Sequence, residues 1–183
     1  MSIVGAQEIV LHTADLATTI LAIVGVFLSL VALGWQAVSF WLSGSRVSVE
    51  IRAGATDGVR AITMAGQPTE SQTASLYKQG LTQKVLAVEV INSGRAPTSV
   101  MSVDVLYPNG AVLTGSYLLG SPQLPCRMEA ESERTWYVDA DLAARTARAF
   151  EEDRKTGRPW AVRGQAKLGG KKTVASKKDI RVF

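Results

Sequence analysis

One histidine, His12, and one cysteine, Cys126, are all the imidazole and thiol that the chain has. A Ser/His/Asp or Cys/His arrangement needs its members within hydrogen-bond reach, and a structural zinc site needs four ligands of the His/Cys type. The two residues are separated by more than a hundred positions and by an apolar run long enough to cross a bilayer, so neither arrangement is expected. Carboxylates cluster at Asp139 and Asp141 and at Glu151, Glu152 and Asp153. General acid/base or metal work is one use of such pairs. Capping a helix and wetting its outer face, with an i,i+4 pair between Glu151 and Lys155, is the reading adopted. The segment "GQAKLGGKK" has the composition of a phosphate loop without its strand-to-helix setting, and its double glycine reads as a hairpin turn. No catalytic, cofactor-binding or metal-binding residue is therefore expected, and the chain is not read as an enzyme.

Charge is more informative. Residues 167–183 carry Lys167, Lys171, Lys172, Lys177, Lys178 and Arg181 against Asp179, a net of +5, while the whole chain is +4. All of the excess basicity thus lies in the last hairpin. Lys171, Lys172, Lys177, Lys178 and Arg181 are the candidate contact residues. Three uses stay open: a solvated edge guarded by lysines, contact with anionic lipid or an acidic protein, and contact with nucleic acid, which the scarcity of interleaved aromatics disfavours.

These residues must be positioned by two quite different parts of the chain. Residues 16–45 contain no Asp, Glu, Lys or Arg, and within Ile20–Leu42 only Ser29, Gln36 and Ser39 are clearly polar. A helix of that length measures about 35 Å, slightly more than the roughly 30 Å hydrocarbon core of a bilayer. The expected organisation is a short N-terminal segment over 1–18, a transmembrane helix over 19–43 and a folded domain over 46–183. A cleaved signal peptide is not expected, since no Lys or Arg precedes the run and no small-residue cleavage site follows it. Before the span lie Glu8, His12 and Asp15; after it come Arg46, Arg52 and Arg60. The positive-inside rule then puts the N-terminus outside and the domain in the cytoplasm. A lone cysteine agrees with that compartment, because a single thiol makes no internal disulfide.

Inside the span, Thr18, Ala22, Gly25, Ser29, Ala32, Gln36, Ser39 and Ser43 recur at alternating steps of three and four. Small residues let helices approach closely in lipid, and a glutamine among them can hydrogen-bond across the contact. Ala22, Gly25, Ser29, Ala32, Gln36 and Ser39 are the candidate helix–helix interface.

Beyond Arg46 the hydrophobic period becomes two. Val47, Val49, Ile51 and Ala53 alternate with polar residues, as do Met101, Val103, Val105 and Tyr107, and Trp160, Val162, Gly164, Ala166 and Leu168. Lys84–Ile91 is more continuously apolar and reads as a central strand. "INSGRAP", "YPNG" and "LGGKK" separate such segments as turns. The expected fold class is mainly β, an antiparallel sandwich of seven or eight strands. A helix over about 140–155 is expected to start at Asp139 or Asp141, to stop at Gly157 and Pro159, and to set Leu142, Thr146, Ala149 and Phe150 on one face. Residues 66–80, rich in Gln, Thr and Ser, read as a long loop.

With "VLAVEVINSGRAPTSVMSVDV" and "LPCRMEAESERTWYVD", the layout resembles that of small bacterial single-pass membrane proteins, an N-terminal membrane helix followed by an immunoglobulin-like or fibronectin-III-like sandwich. The resemblance implies fold and placement only. The functional expectation is a non-catalytic interaction or scaffold module that assembles with itself or another single-pass membrane protein through its helix. The alternatives are a membrane-tethered ligand sensor or nucleic-acid contact using the basic hairpin, and a virion or secreted surface protein with the domain outside.

Overall fold

The computed structural model of the chain describes the backbone of residues 3–115, 117, 118, 120–152 and 160–182, and the side chains within these from residue 18 on, those of Glu151 and Glu152 excepted. The chain divides into two units, one ending at Gly44 and one beginning at Ser45. The first is a single helix, α1 (Ile3–Leu42). The segment expected to precede the span is thus helical itself. The apolar stretch long enough to cross a membrane is Thr18–Leu42, and every side chain in it is exposed.

Among its described residues the second unit has ten strands rather than seven or eight. β1 (Val47–Thr56), β2 (Ala61–Met64), β3 (Gln83–Asn92) and β7 (Ser132–Asp139) form one antiparallel sheet in the order β2-β1-β3-β7. The other sheet is centred on β4 (Thr98–Leu106) and β8 (Trp160–Leu168). On the free side of β4 lie β5 (Val112–Thr114) and β6 (Cys126–Met128); on the free side of β8 lie β9 (Thr173–Ala175) and β10 (Ile180–Val182). The higher count reflects the outer edges of this sheet, each of which is made by two short strands.

The inward residues of both sheets meet in one core. Val49, Ile51, Val88, Val90, Trp136 and Val138 from the first sheet join Val100, Val103, Val105, Val162, Ala166 and Leu168 from the second. Every second residue of β8 is buried, as its alternation demands. Gly164 belongs to that set because a Cβ there would come within 2.9 Å of Val88 Cγ1 and 3.3 Å of Val49 Cγ1. β4 departs from its expected phase. A bulge between Val100 and Ser102 turns Val100 inward and leaves Met101 52% exposed, while Val103, Val105 and Tyr107 stay buried. An extra residue on one strand shifts the alternation by one on one side of the bulge.

Two α-helices complete the domain among its described residues. α2 (Glu70–Lys78) replaces the expected long loop. Its start is a capping box: Gln72 N–H donates to Thr69 Oγ1 and Thr69 N–H to Gln72 Oε1, at 3.3 and 2.8 Å. Leu76 then packs with Ala55 and Leu81. α3 (Ala140–Glu152) begins directly after β7. Asp139 Oδ1 accepts from the backbone N–H groups of Asp141 and Leu142 at 2.8 and 3.0 Å, so Asp139 is the cap. The buried face is Ala143, Ala144 and Ala147, with Phe150 half-buried; Leu142 and Thr146 are half-buried and Ala149 is exposed. The face is rotated from the expected one because the small alanines allow close approach to Tyr107, whose hydroxyl donates to the Ala143 carbonyl at 3.0 Å. The rings of Tyr107, Phe150 and Trp160 pack against one another with centroids 5.5–6.1 Å apart. Asp153, Lys155, Gly157 and Pro159 lie outside the described residues, and with them the expected Glu151–Lys155 pair and the helix stop.

Candidate interaction surface

The candidate interface residues of α1, Ala22, Gly25, Ser29, Ala32, Gln36 and Ser39, are all exposed. Nothing lies within 4 Å of where a Cβ on Gly25 would stand, so the stripe has the open surface that helix pairing needs. The Ser29 hydroxyl is engaged within the helix, donating to the Gly25 carbonyl at 2.8 Å. Gln36 is thereby the residue of the stripe whose side chain can reach farthest for a partner.

In the domain, the basic residues follow one edge of the second sheet and are all exposed. Lys171 and Lys172 stand at the turn between β8 and β9, Lys177 and Lys178 in the break between β9 and β10, and Arg181 on β10. They do not converge on a single pocket. Lys177 and Lys178 form one lip of a groove of about 330 Å³ against β1, and Arg181 lines a smaller one, about 150 Å³, near α2 and α3. The break between β9 and β10 is held by Ser176, which is buried: its Oγ accepts from Gly164 N–H at 3.1 Å and donates to the Lys178 carbonyl at 2.7 Å. This small hydroxyl is what sets the two lysines at the lip.

Asp139 caps α3, and Asp141 lies in its first turn. At the tip between β1 and β2, backbone N–H groups of Arg60 and Val59 hold the Asp57 carboxyl down to about 2. Asp104 is fully buried on β4. Its Oδ2 accepts from Ser102 Oγ at 3.3 Å and lies 3.8 Å from Lys167 Nζ, while Oδ1 has no hydrogen-bond partner among the described residues. Cys126 is half-buried in β6, and no group of three or more His, Cys, Asp or Glu suited to a metal occurs among the described residues.

Several residues that organise this surface escaped the sequence reading. Asn92, fully buried at the end of β3, donates to the carbonyls of Ala96 and Glu129, both at 2.9 Å, and accepts from Gly94 N–H at 3.2 Å. The Tyr117 hydroxyl accepts from Val103 N–H and donates to the Val103 carbonyl, where β4 lies between its contacts with β5 and β6; burial pushes its pKa above the ordinary tyrosine range. A Cβ on Gly54 would run into the Ile62 carbonyl oxygen, which keeps β2 close against the second half of β1.

On the outer face of the first sheet, Glu89 of β3 stands opposite Glu50 of β1. Arg52 Nη2 approaches Glu89 Oε2 at 2.7 Å and Glu50 Oε2 at 3.2 Å. The Glu89 contact is a charge contact without aligned hydrogen-bond geometry, since Glu89 Oε2 and Arg52 Nε have no hydrogen-bond partner among the described residues. Burial raises the Glu89 pKa above 4.5; Arg52 pulls it down, and Glu133 and Glu50 add to the rise. A raised folded-state pKa contributes stability that is complete below the unfolded value and is lost as the pH climbs through the folded one. Glu89→Gln should therefore gain on the parent protein as pH rises in urea titrations run from about pH 4 to about pH 8. A stability gap that stays level or moves the other way would mean that Arg52 fully compensates the buried charge.

No family model, curated protein or solved structure matches the chain.

Proposed function

We propose that the protein is a membrane-anchored, non-catalytic interaction module, in which α1 crosses a bilayer once and pairs with itself or with another single-pass membrane protein. The carrying observation is the stretch Thr18–Leu42, apolar and exposed along its whole length, followed in sequence by a domain that has its own core. An exposed apolar surface of that size calls for lipid or a partner. The domain is read as an immunoglobulin-like sandwich. Its strand orders, β1-β3-β7 in one sheet and β10-β8-β4-β5 in the other, support the A-B-E and G-F-C-C′ pattern of that fold.

In this reading the domain lies in the cytoplasm, which is supported by Lys and Arg being absent from residues 1–45 and beginning at Arg46. Reporters active on only one side of the membrane, fused after Phe183, should give cytoplasmic signal. An external signal would favour the surface-protein alternative. For assembly, Gly25→Leu combined with Gln36→Leu should weaken helix association severalfold in a membrane two-hybrid assay, given about 0.6 to 2 kcal/mol for an interhelical hydrogen bond plus the packing lost at Gly25. Phe27→Leu with Val31→Leu, off the stripe, should change little. Equal behaviour of the two pairs would remove the stripe as an interface.

A further inference from the structure

The first half of β1 is an open sheet edge. β1 pairs with β3 along Val47–Thr56, but with β2 only along Ala53–Thr56. The direction of its backbone groups follows from two bonds at its ends. Ser93 N–H donates to the Arg46 carbonyl, and Asp57 N–H donates to the Arg60 carbonyl. In an antiparallel strand the bonding direction alternates from residue to residue. Arg46, Ser48, Glu50 and Arg52 therefore turn their N–H and C=O groups toward β3, and Val47, Val49 and Ile51 turn theirs to the open side. No described backbone group pairs with these three there. The same edge is already occupied by β2 farther along, which shows that it accepts an antiparallel neighbour.

The groove of about 330 Å³ runs along this edge. Val47 and Val174, both half-buried, give it apolar walls, and Lys177 and Lys178 overhang it. Arg52, also on its wall, is shared between Glu50 at 3.2 Å and Glu89 at 2.7 Å, whereas neither lysine has a carboxylate within 4 Å among the described residues. An unpaired ladder beside two unpaired cations selects an extended chain carrying negative side chains. A second copy of this domain would bring the same two lysines to the joint from both sides and is disfavoured by that repulsion.

We propose that the open edge of β1 takes an extended acidic segment of a partner protein as an added antiparallel strand, in line with β2, its backbone pairing with Val47, Val49 and Ile51 and its carboxylates meeting Lys177 and Lys178. This rests on the reading of the domain as an interaction module and names the chemistry of its partner.

The test uses the full chain in nanodiscs of neutral phosphatidylcholine. The probe is a fluorescent seven-residue peptide alternating Glu with Val, compared with a Lys/Val peptide and with two isomers of the Glu/Val peptide, N-methylated at odd or at even positions. The Glu/Val peptide should bind and the Lys/Val peptide should not. One methylated isomer should lose about tenfold or more in affinity while the other keeps it, because only alternate N–H groups of an added strand face β1. Lys177→Glu with Lys178→Glu should cost about tenfold or more and leave the melting temperature nearly unchanged, since both side chains are exposed. The proposal is overturned if both isomers bind like the parent peptide, if the lysine reversal has no effect, or if the protein ignores the peptides and binds phosphatidylserine vesicles through the same lysines, which would assign the edge to lipid. Topology reporters and helix association read α1 and orientation, so their failure leaves the peptide result standing, and the converse holds too.

Discussion

Trp136→Ala is expected to lower the unfolding free energy by about 3–5 kcal/mol, a large share of the 5–15 kcal/mol typical of a whole domain. Trp136 lies in β7 opposite Val88, is fully buried, and is the largest such side chain among the described residues. Its Nε1–H donates to the Pro122 carbonyl at 2.9 Å, so the ring also ties the chain at Pro122 to the core. Removing it leaves a cavity under both sheets and an unpaired carbonyl beside it. Trp136→Phe separates the two effects: most of the apolar volume stays, the donor is lost, and the expected cost falls to about 1–3 kcal/mol. Urea denaturation of the full chain in detergent, followed by the fluorescence of the other buried tryptophan, Trp160, reads both variants. A loss below about 1 kcal/mol for the alanine would mean that the core collapses freely around this site and is not ordered by the indole.

Asn92→Ala should be the next most damaging, at about 2–3 kcal/mol. The side chain ties three backbone groups from two loops, Gly94 and Ala96 after β3 and Glu129 before β7, and alanine supplies neither donor nor acceptor to any of them. A buried polar group left without its partner costs more than a satisfied hydrogen bond contributes. Asn92→Asp is the sharper comparison. It keeps the acceptor for Gly94 N–H but turns both donor contacts into oxygen against oxygen, so above the carboxylate pKa it should cost at least as much as alanine. If Asn92→Asp matches the parent protein in the same urea titrations, the two carbonyls find other donors and the anchoring role is lost. A second readout is local: faster amide hydrogen exchange at Gly94 and Glu131, whose N–H groups bond to Asn92 Oδ1 and the Gly94 carbonyl, should accompany the loss.

Sequence alone determined the parts of this protein whose signal is local. Thirty uncharged residues make a helix apolar and long enough to cross a membrane, whatever follows them. Strict alternation put the inward face of β8, down to Gly164, and of β1 as far as Ala53 in place, because a strand wetted on one face has a period of two; from Ala53 to Thr56 every residue of β1 is buried. The continuous apolar run of β3 marked it as central for the related reason that both of its faces are covered. α2 was legible in principle, since Thr69 and Gln72 stand at capping-box spacing, but its polar composition hid it.

Only the tertiary structure decided the rest. The bulge that exposes Met101 depends on how β4 registers against β8, and nothing in the composition of "VMSVDV" announces it. The splitting of the outer edges into β5 with β6 and β9 with β10 depends on what each short segment finds to pair with. Asn92 reads as a turn residue until the loop carrying Glu129 is brought beside it, 37 positions away along the chain. The groove is the clearest case. Val47–Arg52 looks in sequence like any half-buried strand, and its edge is open only because β2 ends at Met64 while the lysines of the β9–β10 break arrive from the other sheet. A hydrophobic period records which face of a strand is buried, whereas an edge is defined by the neighbour that is missing, and that is a property of the assembled sheets.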